Sequence, residues 1–304
     1  MEVSGVCKSE SKKQETVITR PLERFAPHKR LLRVFPRRTS ATPDDNMVIV
    51  NRTPSFFDEA DEIHISVAFD KDIPQAEELE RQWRHVAPVK MGGPAFKDAG
   101  GDFIPGLYIK HGYTITSRGC PNACWFCRVW RTEGRKIREL EIKDGYMVQD
   151  NNLLACSEKH QEKVFAMLSK QPRRPHLLGM EAARLTAWHV EWLTKLKPKG
   201  CWFAFDTPDD FEPLVAAASL LREADLMCGH SMCCYVLIGW KSDTIESADK
   251  RLRDVMRLGY FPQSMLYNEG LEWEFAEERK TWKHFHREWA NKWIVGSKMK
   301  KAAA

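Results

Sequence analysis

The sequence predicts an α/β protein whose larger part is an open, curved (βα)6 sheet. From Gly112 to Leu266, apolar runs of strand length alternate about six times with stretches of helical period. Such alternation makes parallel strands joined by crossover helices, and six units are too few to close an eight-stranded barrel. Ahead of them, between Glu62 and Pro94, lies a separate strand–helix–strand unit.

Residues 1–43 show little periodicity and hold Pro21, Pro27, Pro36 and Pro43 among many charges, so they read as a basic, flexible segment. Within it, Leu31–Phe35 could add one strand. The character changes near Asp44. Glu62–Phe69 alternates apolar and polar residues as a strand does, Ile73–His85 reads as a helix, and Pro88–Pro94 reads as a second strand ending in a glycine turn. Residues 44–105 therefore form a shortened Rossmann-like β-α-β unit, with Gly92 and Gly93 as turn glycines rather than a phosphate cradle.

Residues 106–270 carry the larger sheet. Strand-like Gly112–Ser117 leads into a cysteine loop, and Ile137–Ile142 reads as a hairpin edge. Tyr146–Asp150 is followed by helix Ser157–Lys170, and His176–Met180 by helix Ala187–Leu196. Cys201–Phe205 precedes helix Phe211–Glu223, and Cys234–Gly239 precedes helix Ile245–Leu258, with Gln263–Leu266 the last strand. Residues 271–304 read as an aromatic and basic helix and tail. Trp282, Phe285, Trp289 and Trp293 recur there at helical spacing, the pattern of a docking face. Together with Trp273 and the interleaved Lys and Arg, they could instead stack on bases.

No run of about eighteen apolar residues is present, and the first residues have no apolar signal core, so no membrane span or secretory signal is expected. Nine cysteines, an odd number with Cys233 and Cys234 adjacent, do not make a disulfide framework and point to a reducing cytoplasm. The net charge of +5 is uneven, with basic residues gathered in the N-terminal segment and at Lys292, Lys298, Lys300 and Lys301. Such ends suit a phosphate backbone or a solvated tail equally.

The chemistry centres on Cys120, Cys124 and Cys127, spaced x3 and x2 on the loop after Gly112–Ser117. Three thiolates at one point, with no fourth, would hold an iron–sulfur cube with one iron free to bind a ligand. Structural zinc is the competing reading, with His111 or Cys156 completing the set, but no second knuckle follows. Cys156, Cys201, Cys228, Cys233 and Cys234 read as small buried hydrophobes rather than as a second cluster.

The stretch Ser117–Cys127, with aromatic Phe126 before the last cysteine, resembles the Cys-x3-Cys-x-aromatic-Cys loop of the radical S-adenosylmethionine (SAM) superfamily. The resemblance covers roughly residues 60–270 and implies a (βα)6 partial TIM barrel with its cluster loop after the first strand. It implies a [4Fe–4S] cluster on Cys120, Cys124 and Cys127, with SAM as the ligand of the open iron. An electron donor such as flavodoxin or ferredoxin would reduce the cluster, and SAM would break to a 5′-deoxyadenosyl radical.

Carried onto this sequence, the family's SAM contacts put Phe126 beside the adenine and make Asp150, Asn151 or Asn152 the acceptor for the SAM ammonium, with Asp150 first among them. Arg184 becomes a clamp for the carboxylate or, alternatively, a salt-bridge partner of Glu181. Ile238 and Gly239 support the adenine, while Asp206, Thr207 and Tyr267 stand at the same rim. The turn Lys90–Pro94 is similar to the end of the cobalamin-binding domain that precedes many such cores. The cobalt-ligating Asp-x-His-x-x-Gly stretch is absent, however, and His64 lies inside a strand, so cobalamin is not expected. The chain also resembles radical SAM proteins of phage and prophage settings, which with the basic ends implies a nucleotide or nucleic-acid base as substrate. The alternative is a zinc- or cluster-stabilised module that binds nucleic acid without catalysis.

Overall fold

The computed structural model describes residues 29–98, 100–227, 230–240, 242–267 and 276–303. Expectations for the first 28 residues and for Cys228 and Trp273 lie outside these. The fold is mixed α/β, with two parallel sheets and a short antiparallel pair among the described residues.

The first sheet has four parallel strands in the order β2-β1-β3-β4: β1 (Leu31–Phe35), β2 (Val48–Val50), β3 (Glu62–Ser66) and β4 (Val89–Gly92). Leu31–Phe35 is no appendage. It pairs on one side with β2, Arg33 opposite Val48, and on the other with β3, Leu32 opposite Ile63. The sheet therefore reaches back ahead of residue 44. Helix α1 (Ile73–Trp83) turns Ala76, Leu79 and Trp83 inward at helical spacing, and Pro74 occupies its first turn, where a missing N–H does no harm. Trp83 is fully buried and donates its indole N–H to the Arg52 carbonyl at 3.0 Å.

The second sheet has six strands, all parallel: β5 (Tyr113–Thr114), β8 (Met147–Val148), β9 (His176–Leu177), β10 (Gly200–Phe205), β11 (Met232–Ile238) and β12 (Phe261–Leu266). They lie side by side in chain order, as a succession of crossover units requires. The crossover helices are α3 (Glu158–Ser169), α4 (Ala187–Leu196), α5 (Phe211–Glu223) and α6 (Ile245–Arg257). Their starts are chemically marked. Ser157 accepts the His160 N–H at the head of α3, Thr186 and His189 form a reciprocal cap on α4, and Thr244 accepts the Ser247 N–H on α6.

Gly112–Ser117 differs from expectation. Only Tyr113–Thr114 joins the large sheet, while β6 (Ser117–Arg118) pairs antiparallel with β7 (Arg138–Glu139). The cause is Asp150, whose carboxylate takes the Thr116 N–H and hydroxyl, both at 2.6 Å, and the Ser117 hydroxyl at 2.7 Å. A side chain thus takes the place of a ladder partner and the strand leaves the sheet.

Two helices close the chain, α7 (Ala276–Ala290) and α8 (Lys292–Ala303). Trp282 and Trp289 are buried and Phe285 packs against the same core, so this face docks on the large sheet; Ser264 on β12 also meets His286 at 3.0 Å. Trp293 breaks the pattern at 89% exposed, because Asn291 ends α7 and α8 starts a new helical phase. Among the described residues no helix is long and apolar enough to cross a membrane.

Candidate functional site

The cysteine loop is held at both ends by backbone. Gly119 has φ +83°, and a Cβ there would stand 2.5 Å from the Lys136 carbonyl oxygen, so the approach of the following segment requires glycine. Its N–H donates to Glu133 at 2.8 Å, and the Cys120 N–H to the Gly134 carbonyl at 3.2 Å. Farther on, the Cys127 N–H closes a turn onto the Cys124 carbonyl at 3.0 Å. The same Cys124 carbonyl accepts the Trp130 indole N–H, and Arg131 donates to the Trp125 carbonyl, each at 2.9 Å. Trp130 and Arg131 belong to the short helix α2 (Val129–Thr132), which fixes the loop from behind.

Groups from the carboxyl ends of four of the five other strands of the large sheet meet the eight residues Cys120–Cys127. After β8, the Asn152 amide nitrogen lies 3.6 Å from Cys120 Sγ and 2.7 Å from Glu181 Oε2. After β9, Glu181 also accepts from the Asn122 amide at 3.0 Å. Asp206 follows β10, and after burial its charge is one of the smaller influences that oppose ionisation of Cys124 and Cys127. After β11 and β12, the rings of Trp240 and Tyr267 stand edge-on to Trp125, with centroids 6.3 and 5.4 Å away. Phe126 is half-buried and edge-on to Trp125 at 5.4 Å.

Several carried-over roles change. Asp150 is buried and spends both oxygens on Thr116 and Ser117, so its carboxylate positions the strand below the loop rather than facing a ligand. Burial pushes its carboxyl above the ordinary range, and the hydroxyl and amide donors pull the other way. Asn151 turns to the opposite face and donates to Glu133 at 2.7 Å. Asn152 is the member of the trio beside the thiols. It is 4% exposed, and its Oδ1 is a buried acceptor with no partner among the described residues.

Arg184 takes the salt-bridge geometry, its Nε 2.6 Å from Glu181. Burial raises the Glu181 carboxyl, but hydrogen bonds from Asn152, Asn122 and Arg184 outweigh it and hold the group below its usual range. Ile238 is fully buried in the core and its carbonyl accepts the Tyr267 N–H. Gly239, at φ +75°, has its open face filled by protein, since a Cβ would meet Leu266 at 2.7 Å and the Trp282 ring at 3.3 Å. Thr207 caps the chain before α5 by pairing with Asp210.

The three thiols are half-buried and free of disulfides. Burial, then the charges of Cys127 and Cys120, push the Cys124 thiol up to about 11, and burial likewise raises Cys127. Among the described residues no three His, Cys, Asp or Glu side chains stand close enough to hold a single metal ion. Zinc and a four-iron cube are both held by thiolates. The donor set, three thiols with an orphaned acceptor on Asn152 beside the first, fits a cube that keeps one iron for a ligand with an N–H group. Cys156, Cys201, Cys233 and Cys234 are buried, as small hydrophobes are, and burial raises all four thiols.

Sequence reasoning missed Asn122, Trp125 and Trp240. The only local signal was their place inside the loop or just past a strand end. No family model matches the sequence, and no curated protein matches it.

Proposed function

We propose that this chain is a radical SAM enzyme in which Cys120, Cys124 and Cys127 hold a [4Fe–4S] cluster, and that the six-stranded sheet is a (βα)6 partial barrel. One observation carries the reading: an eight-residue loop meets groups from the carboxyl ends of four of the five other strands in its sheet, the far-edge strand β12 among them. On a flat sheet five strand spacings cover about 24 Å, so strand ends that share one short loop support a sheet curved around it. Held by Cys120, Cys124 and Cys127, such a cluster would supply the single electron that reductive cleavage of the SAM carbon–sulfur bond needs.

The chain's own residues orient SAM and keep water out. Asn152, rather than Asp150, is the acceptor for the SAM ammonium, its Oδ1 unpartnered beside Cys120. Arg184, anchored by Glu181, is a guanidinium set in place for a carboxylate. Trp125, Trp240 and Tyr267 form an aromatic group at the thiol loop that would limit water around a bound ligand. Trp125, 47% exposed, also offers a ring on which a flat substrate stacks, which favours a nucleotide or base.

The test is anaerobic purification and metal analysis, then incubation with SAM and dithionite. About four irons with matching sulfide per chain, and 5′-deoxyadenosine as product, support the reading. One zinc per chain and no nucleoside release would replace it with the binding module. Cys120→Ala, Cys124→Ala and Cys127→Ala should each lose iron and nucleoside release together.

A further inference from the structure

A cavity of about 820 Å³ lies between the first sheet and the segments that flank the cysteine loop, Arg118 on one side and Arg128–Glu133 on the other, and it contains none of the three thiols. Its floor follows from the strand order β2-β1-β3-β4. The connections leaving β1 and β3 run in opposite directions, so their carboxyl ends diverge, and open parallel sheets bind ligands in the crevice outside such a point. Phe35–Arg37 after β1 and Ala68–Asp70 after β3 line the cavity from that crevice, and Gln149 and Asn151 close it from the large sheet. Successive residues point to opposite faces of a strand. Gln149 and Asn151 therefore face this cavity, while Asp150 and Asn152 face Thr116 and Cys120.

We infer that this cavity is a second binding site, distinct from the thiol face, for an uncharged flat heteroaromatic molecule of nucleoside size. The volume falls within the range of about 300–1,000 Å³ typical of small-molecule sites, and the walls are mostly apolar with the rings of Phe69, Phe103 and Tyr108 among them. Charge argues against a phosphate. Arg37 is paired with Asp72, Arg128 with Asp70, Arg118 with Glu133 and Lys90 with Glu62. The Gly93 turn is explained by packing, because a Cβ there would stand 2.7 Å from the Val67 carbonyl oxygen. Asp98 and Asp102 add negative charge to the wall, which further disfavours a phosphate, and the Gln149 amide and the buried Arg118 Nε, neither with a partner among the described residues, are free to hydrogen-bond a neutral ligand. This site does not depend on the radical SAM reading.

Gly101 supplies the test, since a side chain added there meets nothing within 4 Å and enters open space on the cavity wall. Riboflavin and inosine are titrated by equilibrium dialysis into the full chain, Gly101→Phe, Gln149→Leu and Cys120→Ala, with flavin mononucleotide and inosine monophosphate as charged counterparts. At least one uncharged probe should bind. Gly101→Phe and Gln149→Leu should each weaken it about tenfold or more, its phosphorylated form should bind no tighter, and Cys120→Ala should leave it unchanged. Failure of both uncharged probes, equal affinity in Gly101→Phe and Gln149→Leu, or tighter binding of the phosphorylated form overturns the proposal. Loss of binding in Cys120→Ala overturns its separateness from the thiol face, and loss of nucleoside release alone leaves the cavity site standing.

Discussion

Asn152 holds its amide nitrogen 3.6 Å from the sulfur of Cys120 and 2.7 Å from Glu181, and keeps its oxygen buried with no partner among the described residues. One side chain thus joins the first thiol, the end of β8 and the end of β9. A buried acceptor without a donor costs about 1–3 kcal/mol, a cost that a ligand N–H would remove.

If the proposed function holds, Asn152→Ala should keep its iron and bind SAM more weakly. Removing the acceptor is expected to raise the dissociation constant for SAM about tenfold, in line with one lost hydrogen bond to a charged donor. Isothermal titration of the iron-loaded variant checks this. Asp150→Asn should instead act on the fold, lowering thermal stability, because Thr116 and Ser117 lose the carboxylate that draws them out of the sheet.

Gly119→Ala forces a Cβ against the Lys136 carbonyl at a backbone angle that alanine avoids. The expected loss is about 1–3 kcal/mol of stability, read from urea unfolding, with the hairpin of β6 and β7 opening first. Gly134→Ala offers the contrast. It shares a positive φ of 92°, yet a Cβ there meets nothing within 4 Å, so only the conformational part of the penalty applies.

In protein without a cluster, Cys124 should alkylate slowly near neutrality. Its thiol stands at about 11, so the thiolate fraction rises about tenfold per pH unit until that value is passed. Mass spectrometry after iodoacetamide treatment across pH 7–11 measures it (a range set around the ordinary thiol value of about 8.5). Cluster assembly must release these protons and should weaken as pH falls.

Burial, then the nearby Asp210 charge, pushes the Asp206 carboxyl up to about 7. An acid raised on folding binds more protons in the native state, so stability is greatest at low pH. It falls as pH climbs from the unfolded carboxylate value of about 4 through the folded value of about 7. Asp206→Asn should flatten that slope and stabilise the cluster-free protein above neutrality, which thermal unfolding at a series of pH values would show. A steeper slope in the variant would contradict the assignment.

Much was legible in the sequence because it is written locally. Helix α5 runs from Phe211 to Glu223 as its period indicates, and Ser157 and Thr244 mark helix starts with the hydroxyls that cap them. The trio Cys120, Cys124 and Cys127 is a short-range spacing, and the burial of Cys201 and Cys234 follows from the apolar runs that contain them. The strand at Leu31–Phe35 was visible as a run of apolar residues, but its place between β2 and β3 was not, since pairing is a long-range choice.

By itself the sequence determined an α/β alternation and three thiols on one loop, because period and spacing depend only on neighbours along the chain. Tertiary structure alone decided which of Asp150, Asn151 and Asn152 faces Cys120, that Glu181 captures Arg184, and that Trp282 fills the face of Gly239. Successive residues at a strand end point to opposite sides, so a shift of one position exchanges ligand face for core. What settles that position is contact with residues tens of places away, as when Asp150 draws Thr116 out of the sheet.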